Sequence, residues 1–209
     1  METVNPRIYP APVVELPRQS VLRRMGYHRK KTDLSPEQER QIDRWMTEAA
    51  DLLDLKGVSL RLPLAFPREG VLLVGEQEFH SPQLCRFLRG ANEALLMGAT
   101  GGREFSAFLQ ELTSSGKMGQ AVVFDAVASE MVDDVLGWIM GVFRRELMRS
   151  GLTVMKHRYS AGYGDLELEA QGFFHRILGM EKLGVSLTES FLLDPEKSVT
   201  ALTGITAGI

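Results

Sequence analysis

Several common building materials are scarce in this chain of 209 residues. It has one cysteine, Cys85, which excludes an internal disulfide and any metal site made of several thiolates. Within the apolar-patterned stretch Leu84-Cys85-Arg86-Phe87-Leu88 that thiol reads as a small core residue. Histidine is sparse as well: His28, His80, His157 and His175 are too scattered to predict a metal site from spacing. The longest apolar run, residues 135–143, lies between Asp133-Asp134 and Arg144-Arg145 and falls well short of the roughly 20 residues a membrane span needs. Residues 1–14 carry Pro6, Pro10 and Pro12 among charges and lack the apolar segment of a secretory signal, so a cytoplasmic location is expected. An excess of positive charge is also missing. With 24 Lys and Arg against 27 Asp and Glu, the net charge is −3, and no global field exists to hold a nucleic acid. No G-x-S-x-G elbow, H-E-x-x-H pair or Walker A run occurs, which removes the commonest hydrolase, zinc-protease and phosphate-loop templates.

The remainder is ordinary globular material, 44% hydrophobic and 24% charged, and its length predicts a single domain over residues 1–209. Residues 1–32 form the exception. They are rich in Pro, Arg and Lys, with Arg23-Arg24 and a basic cluster at 28–31, and read as a solvated N-terminal arm or a partner contact.

Helix signals then begin. Ser35 can cap, Pro36 suits the first helical position, and Gln38 completes a capping box. Ile42, Trp45, Met46, Ala49, Leu52 and Leu53 follow at helical spacing, and Gly57 is the expected stop. Strands are predicted at 58–66, 70–75 and 94–100, and helices at 82–89 and 104–112, the latter stopped by Gly116. Residues 118–149 read as one long helix or two abutting ones, apolar all round at the middle and therefore destined for the core. Beyond them come a strand at 153–159, a glycine turn at 161–164, a helix at 169–178 and β-rich stretches at 185–193 and 198–205. Strands and helices do not alternate strictly, so the expected class is α+β.

Two glycine-bearing segments invite chemistry. Gly98-Ala99-Thr100-Gly101-Gly102 follows an apolar strand and precedes a helix, as a dinucleotide-binding turn would. Glu104 stands at the third glycine position of that spacing, which favours an ordinary strand-to-helix turn over a dinucleotide-dependent reductase. The second segment is Arg158-Tyr159-Ser160-Ala161-Gly162-Tyr163-Gly164-Asp165. A guanidinium can hold a carboxylate with two parallel hydrogen bonds, the glycines let backbone N–H groups approach a ligand, and Tyr163 offers an aromatic face. The plain alternative is a tight turn in which Tyr163 packs on the core and Arg158 neutralises a neighbouring acid.

Arg158-x-x-x-Gly162-Tyr163, then Leu187-Thr188-Glu189-Ser190-Phe191, then Pro195-x-Lys197-Ser198-Val199-Thr200-Ala201 resemble, in order and spacing, the reactivation domain of cobalamin-dependent methionine synthase. Ala99-Thr100-Gly101 and residues 123–130 extend the resemblance, which covers roughly residues 90–205. It implies a mainly antiparallel twisted sheet with packed helices, one of them long and central. It also implies binding of S-adenosylmethionine, with Arg158 holding the methionyl carboxylate, backbone at Ala161 and Gly162 near the nucleoside, Tyr163 flanking the site and Asp133 receiving the ammonium. The methyl acceptor would be cobalamin held by a corrinoid-binding partner, reduced by a flavodoxin-like donor. No residue is assigned a catalytic role, and neither nucleic acid nor membrane is an expected partner. Fused members carry aromatic residues where this chain has Leu202 and Thr203. The expected role is a free-standing reactivation subunit; the alternative is a non-catalytic module that docks on a corrinoid protein without using S-adenosylmethionine.

Overall fold

The computed structural model describes residues 5–27 and 33–208; the basic cluster at 28–31 lies outside the described residues. Its elements in chain order are β1 (Arg7–Tyr9), α1 (Arg18–Arg24), α2 (Pro36–Leu52), β2 (Lys56–Arg68), β3 (Val71–Val74), β4 (Gln77–His80), α3 (Pro82–Phe87), β5 (Glu93–Thr100), α4 (Arg103–Ser114), α5 (Met118–Leu147), β6 (Leu152–Val154), α6 (Ala170–Leu178), β7 (Ser186–Leu187), β8 (Leu193–Asp194) and β9 (Ser198–Ala207). Seven strands form one antiparallel sheet in the order β4-β3-β2-β5-β9-β6, with β1 paired to β2, and β7 and β8 make a separate hairpin. The class is therefore α+β, with a mainly antiparallel sheet and one long helix.

β5 explains why its sequence is apolar without alternation. It lies between β2 and β9, and Ala94 and Leu96 enter the core on one face while Leu95, Met97 and Ala99 enter the core on the other. The first face is covered by α6, through Phe174 and Leu178; the second by α5, through Val135, Leu136 and Ile139. α5 is a single helix of 30 residues, about 45 Å long at 1.5 Å per residue. Its N-terminal half packs into a third core with α1, α2 and α4, and its C-terminal half lies on the sheet, so most of its circumference is apolar while Asp133, Asp134 and Gly137 keep an exposed stripe.

The capping box of α2 forms as predicted: Ser35 Oγ accepts from Gln38 N at 3.2 Å and Gln38 Oε1 accepts from Ser35 N at 2.9 Å. The stop of α2 does not. The helix ends at Leu52, while Gly57 lies inside β2, where a Cβ would stand 3.0 Å from Val135 Cγ1 and 3.1 Å from Ile139 Cδ1. That glycine admits α5 to the sheet and ends nothing.

The solvated arm is corrected over the described residues 5–27. β1 pairs with β2, Tyr9 is buried and bonds Ser59 Oγ at 3.0 Å, and Val21 is wholly buried against α5. Pro and basic residues disguised two short elements, each anchored by one buried side chain, Tyr9 and Val21. The strand expected at 153–159 is shortened to β6 and a single bridge between Tyr159 and Leu202. Past β6 the Met155 N–H still donates to the Gly204 carbonyl at 2.9 Å, but side chains take the carbonyls: the Arg144 guanidinium donates to those of Val154 and Met155, and Thr203 Oγ1 to that of His157. β4 went unpredicted because only Phe79 of its four residues is buried.

Candidate functional site

β9 has β5 along one side. Along the other, β6 reaches only Ile205 and the Tyr159 bridge adds Leu202, so among the described residues the strand edge at Ser198 and Thr200 has no neighbouring strand. Leu202 exchanges both backbone bonds with Tyr159, at 2.9 and 2.8 Å. In an antiparallel ladder alternate residues face the same neighbour, so Ser198 and Thr200 turn their N–H and C=O groups outward like Leu202. A cavity of about 960 Å³ opens over this edge. Its walls include Asp133 on α5, residues 158–161, Tyr163 and Gly164, Leu168 and Gln171 at α6, and the Thr188–Asp194 side of the β7–β8 hairpin. Because α5 and α6 cover opposite faces of the sheet, the cavity crosses from one face to the other.

At the α5 end, Arg158 Nη2 donates to Asp133 Oδ2 at 2.7 Å and Nη1 to the Asp133 carbonyl at 3.1 Å. The two side chains expected to meet opposite ends of a zwitterion are thus adjacent and paired with each other. The pair leaves capacity: of the five N–H donors of a guanidinium, those two bonds use two. Its exposure, 24% for Arg158 and 52% for Asp133, keeps both groups within reach of a ligand. The neighbouring Asp134 carboxyl is pushed up by burial and by the charges of Asp133 and Glu130, against the pull of Arg158.

The bend is built from two directions. Gly162 and Gly164 have φ of +80° and +56°, the left-handed region that suits glycine. A Cβ on Gly164 would also strike the Tyr159 hydroxyl. From outside, Asp165 ties the bend to α3: one carboxylate oxygen accepts from the Ser81 hydroxyl and the other from Gln83 N at 3.0 Å. Ser81 in turn caps α3, accepting from Leu84 N at 3.0 Å.

Arg158, Asp133, Ala161 and Tyr163 all line the cavity, Tyr163 being 69% exposed at its mouth rather than packed on the core. Gly162 does not line it, and its N–H already donates to the Leu166 carbonyl at 2.9 Å, so it shapes the turn without offering a donor. Leu202 and Thr203 are fully buried and face away from the cavity into the core and the His157 carbonyl. The Gly98 turn is ordinary: the Gly101 N–H donates to the Lys197 carbonyl and the Gly102 N–H to Thr100 Oγ1. Cys85 is half-buried beside the core and not inside it, and burial, then the Asp165 charge, pushes its thiol up.

Sequence reasoning passed over Gln171, Thr200 and Tyr159 as site residues. Tyr159 Oη is buried at the cavity wall with no well-formed hydrogen bond among the described residues, and burial, then the Asp165 charge, pushes its phenol up against the opposing pull of the Asp165 backbone N–H. Gln171 had a signal: it is a polar residue at the buried stripe formed with Phe174 and Leu178. A hollow of comparable volume, about 1010 Å³, lies along α2 among Arg40, Asp43, Arg44 and Glu48, an exposed charged groove without a buried polar side chain.

No protein-family model matches this chain, and no curated protein does. Among solved structures, a crystal structure described as the MetH reactivation domain bound to AdoHcy superposes with a TM-score of 0.70 at 14% identity, covering 97% of this chain and 79% of the other. The chain therefore has the fold of the MetH reactivation domain.

Proposed function

We propose that this protein binds S-adenosylmethionine in the cavity beside β9 and donates its methyl group to a corrinoid held by a partner, as a separate reactivation subunit of a methionine synthase or related methyltransferase. The observation that carries the reading is the Arg158–Asp133 pair at one end of that cavity, in a fold whose solved relative binds AdoHcy. An ion pair with donors to spare matches an α-amino acid: the carboxylate takes free N–H groups of Arg158, and the ammonium takes the carboxylate of Asp133. Charge is conserved in the exchange, so the ligand does not strand a partner in the site.

The residues present position and do not react. Arg158 and Asp133 fix the methionyl end, the bend at 161–164 forms the adjoining wall, and Tyr163 stands at the mouth, where a partner would approach. S-adenosylmethionine supplies an electrophilic methyl group, and its transfer to a corrinoid reduced by a flavodoxin-like donor makes that reduction irreversible.

Calorimetric titration tests the binding. Wild-type protein is expected to bind S-adenosylmethionine in the micromolar range, and Arg158→Ala to weaken it by roughly 10- to 100-fold, the loss of charge-assisted hydrogen bonds. No heat at millimolar ligand would sink the proposal and leave a corrinoid-docking module that does not use S-adenosylmethionine. With a corrinoid partner and reductant, the methylated corrinoid spectrum should appear only when the ligand is present.

A further inference from the structure

A smaller hollow of about 430 Å³ adjoins the ligand cavity and shares Arg158 with it. Gly137, Met140 and Arg144 of α5 form one side, and Lys156, His157 and Arg158 the other. Every ionisable group in that lining is basic, in a chain whose net charge is −3. Among the described residues a carboxylate pairs with Arg158 alone of the four, through Asp133. Positive charge is therefore concentrated here without local compensation.

The lining follows from helical spacing. Residues 133, 137, 140 and 144 fall on one side of α5, about a turn apart, and the segment 154–158 is tied along that side by Arg144 at one end and the Arg158–Asp133 pair at the other. Gly137 leaves the middle of the stripe open: a Cβ there would stand 3.9 Å from Arg158 Nη1, so the guanidinium lies over bare backbone. The carbonyls that could have neutralised the hollow are engaged, those of Val154 and Met155 by Arg144 and that of His157 by Thr203 Oγ1. Those two bonds hold the half-buried Arg144 in place and leave three of its five N–H donors unused. Lys156 and His157 are exposed at the rim.

We propose that this hollow binds a small, multiply charged oxyanion of the phosphate class, such as inorganic pyrophosphate, and that its occupancy weakens the neighbouring grip on the amino-acid end of the ligand. Guanidinium forks and a lysine ammonium suit phosphoryl oxygens. A single carboxylate would leave two of the three permanent cations, Arg144, Lys156 and Arg158, without a counter-charge. Arg158 carries the coupling: donors given to an oxyanion on the Gly137 side are withdrawn from Asp133 and from a ligand carboxylate in the cavity. Two ligands that draw on one guanidinium oppose each other, and each weakens the other by the same factor. The coupling rests on the proposed nucleotide site, whereas the oxyanion site stands on its own residues.

Isothermal titration of the full chain with sodium pyrophosphate, at an ionic strength held constant with sodium chloride, tests the site. Wild-type protein should take up one pyrophosphate per chain. Lys156→Ala should weaken that binding roughly 3- to 10-fold, the loss of one exposed charge, and Lys156→Glu should abolish it. Lys156 does not line the ligand cavity, so Lys156→Ala should bind S-adenosylmethionine as wild type does when pyrophosphate is absent. Saturating pyrophosphate should weaken S-adenosylmethionine binding to wild-type protein by about fivefold or more. No saturable uptake of pyrophosphate, or uptake that Lys156→Glu leaves intact, overturns the oxyanion site. Unchanged affinity for S-adenosylmethionine at saturating pyrophosphate overturns the coupling through Arg158. Pyrophosphate binding by a chain that takes up no S-adenosylmethionine removes the nucleotide reading and upholds this site.

Discussion

Asp165 shows how much of the site depends on a residue that never faces the ligand. Its carboxylate joins the glycine bend to the cap of α3 through Ser81 and Gln83. Burial acts to raise its pKa, but the Ser81 hydroxyl, the Gln83 N–H and the Arg86 charge together outweigh it and hold the group below the ordinary 3.8. A depressed folded pKa contributes stability that is present above the unfolded value and is lost as pH falls through the folded one. Asp165→Asn should therefore lower the melting temperature at neutral pH, with the gap to wild type closing below about pH 4. Thermal melts across pH check this; a gap of constant size would show that the charge does not anchor the bend. The segment was legible at this scale because arginine, glycine and tyrosine each bring a distinct capability. Its anchor was not, because Ser81 and Asp165 are 84 positions apart and meet only in the fold.

Among elements, α5 is the one on which the others depend. It belongs to two cores, and its buried Leu136 and Ile139 are wholly inaccessible while Val122 on the same helix is 48% exposed. Leu136→Ala should cost about 2–5 kcal/mol, transfer and cavity terms combined, whereas Val122→Ala should stay within about 0.5 kcal/mol. Urea denaturation of the two variants checks both, and similar costs would contradict the packing described. Asp133 projects from this helix into the cavity, so a rigid α5 also fixes the acidic half of the ligand-facing pair. Helical spacing revealed α5, and the capping box revealed the start of α2, since both are local properties. The short β1 and α1 were hidden because a three-residue strand and a seven-residue helix bury too few side chains to show a period.

For the molecule as a whole, occupancy of the cavity should register as global stability, because its walls come from α5, α6, the bend and the β7–β8 hairpin. At a concentration 100 times its dissociation constant, S-adenosylhomocysteine should add about 2.7 kcal/mol and raise the melting point by roughly 5–10 °C. Scanning fluorimetry checks this, and an unchanged midpoint at saturating ligand would deny that these walls are joined through one site. Among the described residues no helix is long and apolar enough to cross a membrane. The sequence by itself determined the α+β class, the long buried helix, the glycine bend and the candidacy of Arg158, because periodicity, capping and residue chemistry act over a few positions. Only the tertiary structure decided that Arg158 pairs with Asp133, that Gln171 bonds Thr200, and that β9 leaves an open edge between them. Those outcomes depend on which strand stops short and which helix crosses which face. Long-range packing settles such questions, and no local pattern encodes them.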